Sequence, residues 1–409
     1  MSTKSLQLEC ISAAENLADV VPVIFSWNYI PRLPSFLVAQ DWHFEIPVQE
    51  GTSPIADSPN SFPISPKDAG LPYHTGLTCL RHNRHWRAAL RYAAELCELL
   101  AADQSYNNAT LSRGGNLATI AQRELQAPEG ERFVTFAINL FPDADEERMK
   151  LIAVGIFFVV IFDDSWEEAP GTDLKNVQDD FVARMRGQKP LGTKSAVSPL
   201  QARIDEIVAS CRACDEKSGT DAGKDFIETM LEWVMHSQPE TCDFKTPREY
   251  LDYRWMDAAN WWLVASCKLS IASAVSLKDP LMEKIIRLVG DHISIVNDLG
   301  SYDKELAAFE SGRTVVHINL VKVMRSSCGL SIDDAKAAAF TLQLLNEHDI
   351  LAECNRLKSI PEVTNEHWRF VHTLLLLIAG NTFYTMTTSR YGGQAARIQK
   401  SIRDESCTL

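Results

Sequence analysis

The sequence predicts an all-α protein built around one large domain. Three observations lead there. From about residue 76 onward the apolar residues recur at helical spacing. Several of these stretches open on capping or proline signals. No βαβ rhythm, hairpin series or fixed-period repeat interrupts them. The chain has 409 residues, 45% of them hydrophobic, enough to bury a core that surrounds a ligand.

The elements follow in order. Nine of the 18 prolines lie at or before residue 72. Proline removes backbone donors and blocks helix interiors, so residues 1–75 read as a proline-rich segment, extended or wrapped on the surface. HWRAALRYAAELCELLAADQ is the first helical stretch. PDADEERMKLIAVGIFFVVIFDD carries proline and acidic residues at its start, which suit a helix N-terminus. Thr246-Pro-Arg-Glu249 is a capping box and opens a helix through YLDYRWMDAANWWLVASCKL. Two more stretches follow, DPLMEKIIRLVGDHISIVNDLGSYDKELAAF and NEHWRFVHTLLLLIAGNTFYTMTTSRY. The loop around Gly187–Ser198 joins two helical blocks, and residues 392–409 form a tail.

Composition narrows the function. The net charge is −14, which disfavours nucleic acid or an anionic membrane as the main partner. An acidic protein that binds a polyanion must do so locally, through metal ions or a few convergent Arg and Lys residues. The ten cysteines are scattered and read as reduced thiols of a cytoplasmic protein. Cys211-Arg-Ala-Cys214 lacks the second pair that a zinc site needs. The longest apolar run, Leu151–Phe162, is shorter than a membrane span, and no signal peptide is evident. The basic cluster from Arg81 to Arg87 reads as a solvated helix face.

Two acidic motifs carry the chemistry. In Asp163-Asp164-Ser165-Trp166-Glu167 the first and last residues share a helix face at the negative end of the helix dipole. Such repulsion is compatible with a solvated helix end or with a bound cation, and hard cations such as Mg²⁺ take oxygen ligands. Glu168 follows directly, so either glutamate could serve. Further on, Asn297, Ser301 and Glu305 stand at i, i+4 and i+8, a stripe of ~12 Å along one helix face. Amide, hydroxyl and carboxylate oxygens are hard ligands carrying a single negative charge, suited to Mg²⁺ shared with phosphate.

DDxxE followed by NDxxSxxxE resembles the class I terpene synthase family, and the pair is far more specific than either half. Tyr253-Arg254-Trp-Met-Asp257-Ala258 resembles that family's diphosphate-sensor segment, and Gly380-Asn381 through Arg390-Tyr391 its terminal helix. The four elements stand in the family's order and cover residues 76–391, and the long N-terminal segment is similar to fungal members. The resemblance implies a single helical bundle around a central apolar cavity and three Mg²⁺ ions. It implies Asp163, Asn297, Ser301 and Glu305 as metal ligands, with Asp164 and Glu167 as further candidates. Arg254, Asn297, Lys304, Arg390 and Tyr391 would hold diphosphate. Asp257 and Ala258 would be linker and effector at the cavity, lined further by Tyr384, Phe157, Val160 and Trp261.

Phe158, Trp233 and Trp262 are additional aromatic candidates, and aromatic faces stabilise cations. For all of these except Tyr384, core packing is the competing reading. Two departures stand out. Ala258 replaces the commoner glycine, and Val160 stands where many relatives carry Phe. The resemblance implies a sesquiterpene cyclase acting on farnesyl diphosphate, as a monomer or homodimer. Monoterpene and diterpene cyclases are the nearest alternatives. A trans-prenyltransferase would carry a second DDxxD motif, which this chain lacks. A non-catalytic helical binding protein would have less reason to keep ligands on both walls.

Overall fold

A computed structural model describes residues 20–30, 58–104, 116–167, 172–188, 197–236, 243–314, 316–392 and 396–397. Of these, the side chains of 164–167 and 172–174 are left undescribed. The described part of the chain is helical, as expected. Its helices are α1 (Trp86–Ala102), α2 (Leu117–Gln126), α3 (Thr135–Leu140), α4 (Glu146–Glu167), α5 (Thr172–Met185), α6 (Pro199–Ser218) and α7 (Ala222–Val234). They continue with α8 (Pro247–Asp257), α9 (Asn260–Ser270), α10 (Glu283–Glu310), α11 (Leu320–Cys328), α12 (Ile332–Lys358) and α13 (Asn365–Thr387). The sheet content among the described residues is one antiparallel pair, β1 (Ser61–Pro63) with β2 (Arg81–Asn83), in the register Phe62 to His82.

Local chemistry explains the boundaries. Ser198 and Gln201 form a reciprocal capping box on α6, with proline at its first turn. Gly219 ends that helix in the left-handed region, at φ 68°. Thr246 caps α8 by accepting from Glu249 N at 3.1 Å. The Glu249 carboxylate, however, turns to Lys245 N at 2.9 Å and leaves the box half made.

The helix expected to run from Thr246 through Leu269 is broken. It ends at Asp257 and restarts at Asn260. Ala259 between them takes φ 54°, a left-handed conformation that costs a residue with a Cβ roughly 1–2 kcal/mol. Packing on both sides holds it there. Trp255 before the break meets Gly290 of α10 so closely that a Cβ on the glycine would lie 1.8 Å from the indole. Asn260 after the break donates to Gly290 O and Ser294 Oγ at 3.2 and 2.9 Å.

The centre of the bundle is α13. It is long and apolar enough to cross a membrane, yet its apolar window is wholly buried, as in a core helix. It packs on α3, α9 and α10, while α10 packs in turn on α12. Gly380 marks the tightest approach: a Cβ there would lie 2.1 Å from the Asn139 carbonyl oxygen of α3.

The basic cluster at 81–87 is a solvated helix face only at Arg87, with Arg84 exposed just before the helix. Arg81, His82 and Asn83 form β2 and are buried. Arg81 donates to Ser61 Oγ and O, and Asn83 to the carbonyls of Pro142 and Ala144. The period-3.6 pattern therefore begins at Trp86 and not before it. Within 1–75, residues 20–30 are extended chain set into the core, with Phe25, Trp27, Tyr29 and Ile30 all buried. Residues 1–19 and 31–57 of that segment, most of the 187–198 loop, and 398–409 of the tail lie outside the described residues.

The α3–α13 contact is made through backbone, which cannot rotate away. Gly380→Ala should destabilise the protein by about 1–3 kcal/mol, as overpacked cores do. Chemical denaturation would read this, and a midpoint equal to wild type would show that α13 can shift without cost.

Candidate active site

Four chain segments converge at one end of α13. They are the last turns of α4, the second half of α8, the middle of α10 and the turn that follows α13. Each brings one of the motifs singled out in the sequence.

Arg254 on α8 is the hub. Its side chain is 12% exposed. It donates Nε to Asp298 Oδ1 at 3.2 Å, Nη2 to Asn297 Oδ1 at 2.9 Å and Nη1 to Asp257 Oδ2. Burial works against its charge, and the Asp298 carboxylate leads the neighbours that more than offset it. Asp257 also accepts from Tyr253 Oη at 2.8 Å, and its carbonyl accepts from Trp233 Nε1 at 3.1 Å. Trp233 thus has a polar partner beside the helix break.

The turn after α13 joins the other walls. Arg390 Nη2 donates to Asp163 Oδ2 at 3.2 Å. Tyr391 Oη accepts from Asn297 Nδ2 at 2.9 Å. Burial pushes the Tyr391 phenol up to about 12, so it remains a hydroxyl at neutral pH. A polar relay therefore runs from Asp163 to Arg390, across the chain bond to Tyr391, and on through Asn297 to Arg254 and Asp298. It joins Asp163 and Asn297, which are far apart in sequence.

Along α10, Ser301 Oγ is buried beside the Glu305 carboxylate and has no partner at hydrogen-bonding geometry. Glu305 accepts from Asn319 Nδ2 at 2.9 Å. Burial, and next to it the charge of Asp298, pushes Glu305 up to about 7. A neighbouring cation would favour its charged form. A buried hydroxyl, an amide and a carboxylate along one helix face make a hard-oxygen donor set. That set fits a divalent cation such as Mg²⁺. Among the described residues no three His, Cys, Asp or Glu side chains gather into a metal cluster, so the fit depends on the Asn–Ser–Glu composition of the stripe. Asp164 and Glu167 are within α4, but their side chains lie outside those described, as does Glu168 altogether. Lys304 is half-buried on α10.

The apolar candidates divide. Tyr384 stands edge-on to Phe136 and to Tyr391, with ring centroids 5.0 and 6.0 Å away, so it adjoins the relay. Val160 and Trp261 are partly buried, and Trp261 stands edge-on to Trp255 at 5.3 Å. Phe157 and Phe158 pack on each other and on Phe133 and Phe181. Trp262 is fully buried against Phe226. These last three are core packing. A cavity of about 250 Å³ lined by Trp86, Arg87, Arg91 and Arg132 lies on α1 and the 129–132 turn, on elements that carry no motif residue.

Asp298 was passed over in the sequence. It is fully buried and accepts from Tyr250 Oη at 2.5 Å, Arg254 Nε and Leu320 N at 2.8 Å. A fully buried carboxylate must be paired. Its place one residue past Asn297, on the inward face of an apolar helix, was the signal available.

The chain is similar to several known proteins. The family model described as terpene synthase family 2, C-terminal metal binding, matches residues 156–343. The chain is 23% identical over 343 residues to terpene cyclase aneC of Aspergillus aculeatus, covering 83% of this chain and 75% of that protein. It is 24% identical over 349 residues to terpene cyclase 6 of Gibberella fujikuroi, covering 82% and 87%. Among solved structures, aristolochene synthase from Penicillium roqueforti superposes with a TM-score of 0.56 at 16% identity, covering 73% of this chain and 95% of that one. Germacradien-4-ol synthase from Streptomyces citricolor gives 0.51 at 17% identity, covering 77% and 98%.

Asp298→Asn keeps the shape of the side chain but removes the charge that pairs with Arg254. Breaking one side of a buried pair costs about 3–5 kcal/mol. Denaturant unfolding should show a loss of that order, and a loss below about 0.5 kcal/mol would contradict the pairing described here.

Proposed function

We propose that the chain, which matches a terpene synthase metal-binding family model and resembles fungal terpene cyclases, is a class I terpene synthase, and specifically a Mg²⁺-dependent sesquiterpene cyclase acting on farnesyl diphosphate. Enzymes of this family act on isoprenoid diphosphates and carry a metal-binding domain. We infer a C15 substrate and three Mg²⁺ ions.

One observation carries it: the relay from Asp163 through Arg390, Tyr391 and Asn297 to Arg254. It gathers the candidate ligands and the candidate diphosphate donors at one place. Asp163, Asn297, Ser301 and Glu305 are the proposed holders of Mg²⁺. When bound, the ions would neutralise the charge that develops on departing diphosphate oxygens. Arg254, Lys304 and Arg390 add charge-assisted donors, and the two guanidinium groups can each engage two oxygens. Tyr391 donates one hydroxyl. Arg390 contacts Asp163 and Asn297 contacts Tyr391, so candidate cation ligands and candidate diphosphate donors already stand side by side. The site then needs little new structure to bind.

The walls must next keep water from the carbocation. Tyr384 beside Tyr391 is the aromatic face best placed to stabilise it, by ~0.5–2 kcal/mol. Trp261 and Val160, both partly buried, are the further wall candidates, with Asp257 and Ala258 at the helix break.

Incubation with C10, C15 and C20 diphosphates plus Mg²⁺, with products read by mass spectrometry, is the direct test. Cyclic C15 hydrocarbon or alcohol with release of diphosphate is expected. Cyclic products from C20 alone would overturn the substrate assignment, and a longer prenyl diphosphate would make the protein an elongating enzyme. Asp163→Ala and Asn297→Ala should each lower turnover by about 100-fold or more while the protein stays folded. Near wild-type rates in both would falsify the metal assignment.

A further inference from the structure

We propose that Asn319 is a positioning residue that orients the Glu305 carboxylate for cation binding, an inference that rests on the reading of the site above. Asn319 stands immediately before α11, on the connection from α10, and is fully buried. Its Nδ2 donates to Glu305 Oε2 and to the Asp298 backbone carbonyl, both at 2.9 Å. Its Oδ1 accepts from Val321 N at 2.9 Å and caps α11.

An amide side chain offers two donor hydrogens and one acceptor oxygen, and all three parts of Asn319 are engaged. The orientation is determined by its neighbours. A flipped amide would set its oxygen against two acceptors, the Glu305 carboxylate and the Asp298 carbonyl. Capping alone does not require asparagine, since serine, threonine and aspartate cap as well. The pair of donors aimed at α10 does require an amide. Those donors reach a candidate ligand at one end and the backbone of the residue that pairs with Arg254 at the other.

The junction is reinforced beside it. Leu320 N donates to Asp298 Oδ2 at 2.8 Å, so the first turn of α11 is fastened to the same stretch of α10. Glu305 lies two turns along from Asn297 on the stripe, and without a fixed partner its long side chain would keep rotamer freedom. One oxygen held by Asn319 sets the carboxylate plane before any cation arrives. Partners of this kind typically contribute 10–100-fold to metal affinity or activity.

The test is Asn319→Ser in the full chain, because serine keeps the cap and removes both donors to α10. The probe is Mg²⁺ titrated calorimetrically in the presence of inorganic diphosphate, alongside thermal unfolding of the unliganded protein. The folded variant should need about tenfold more Mg²⁺ for half-saturation, and its turnover should recover partly at high Mg²⁺. An unmoved half-saturation point in folded Asn319→Ser, with or without a lowered melting temperature, would make Asn319 a helix cap only. Asn319→Thr, a second capping residue of larger volume, is measured the same way and decides the matter if the serine variant does not fold. Wild-type protein that takes up no Mg²⁺ with diphosphate would sink the cyclase reading itself, and this inference with it. Normal wild-type binding with an unmoved variant sinks only the role of Asn319.

Discussion

The buried cation of Arg254 is the constraint on which the site depends. A guanidinium taken out of water must recover its solvation from fixed partners. Here Asp298, Asp257 and Asn297 supply them from α10 and from α8 itself. That need draws α8 against α10 and brings the Asn297–Glu305 stripe beside the helix break. Asp298 in turn must be satisfied, and Tyr250 and Leu320 N complete its shell. Two charges that would each be costly alone thus register three helices.

Close backbone approach lets the remaining wall join. Gly300 lies between Asn297 and Ser301 on α10, facing the end of α13. A Cβ on it would lie 2.3 Å from Thr385 Cγ2 and 3.5 Å from the Tyr391 ring. The glycine therefore lets Tyr391 reach Asn297. The helix propensity lost at this position, about 1 kcal/mol, is offset by burial of the surrounding apolar surface.

The turn carrying Arg390 and Tyr391 is fastened from outside as well. Trp27 donates its backbone N to Met386 O at 3.0 Å and its Nε1 to Thr385 O at 2.7 Å. Its indole covers Gly392, where a Cβ would lie 2.5 Å from the ring. Ser389 N donates to Glu131 Oε2 at 2.9 Å, and Arg397 Nη2 to Ile24 O at 2.7 Å. Carbonyls at the end of α13 lack partners within the helix. The early segment supplies them, so a stretch poor in helical signal becomes part of the core.

By itself the sequence determined the helical class, the approximate starts of α1, α4, α8, α10 and α13, and the residue types of the site. Helical periodicity, capping and the spacing of Asn297, Ser301 and Glu305 are local properties, encoded within a turn or two of chain. Tertiary structure alone decided the break at Ala259, where the packing of Trp255 on Gly290 overrides a locally continuous helix. It alone decided that Arg81–Asn83 is buried strand, that Trp27 belongs to the core, and that Phe157, Phe158 and Trp262 are packing. It also chose Asp298 and Asn319 as partners of the motif residues. Each of these depends on contacts between residues far apart in the chain, and the periodicity of any one segment carries no information about what will press against it.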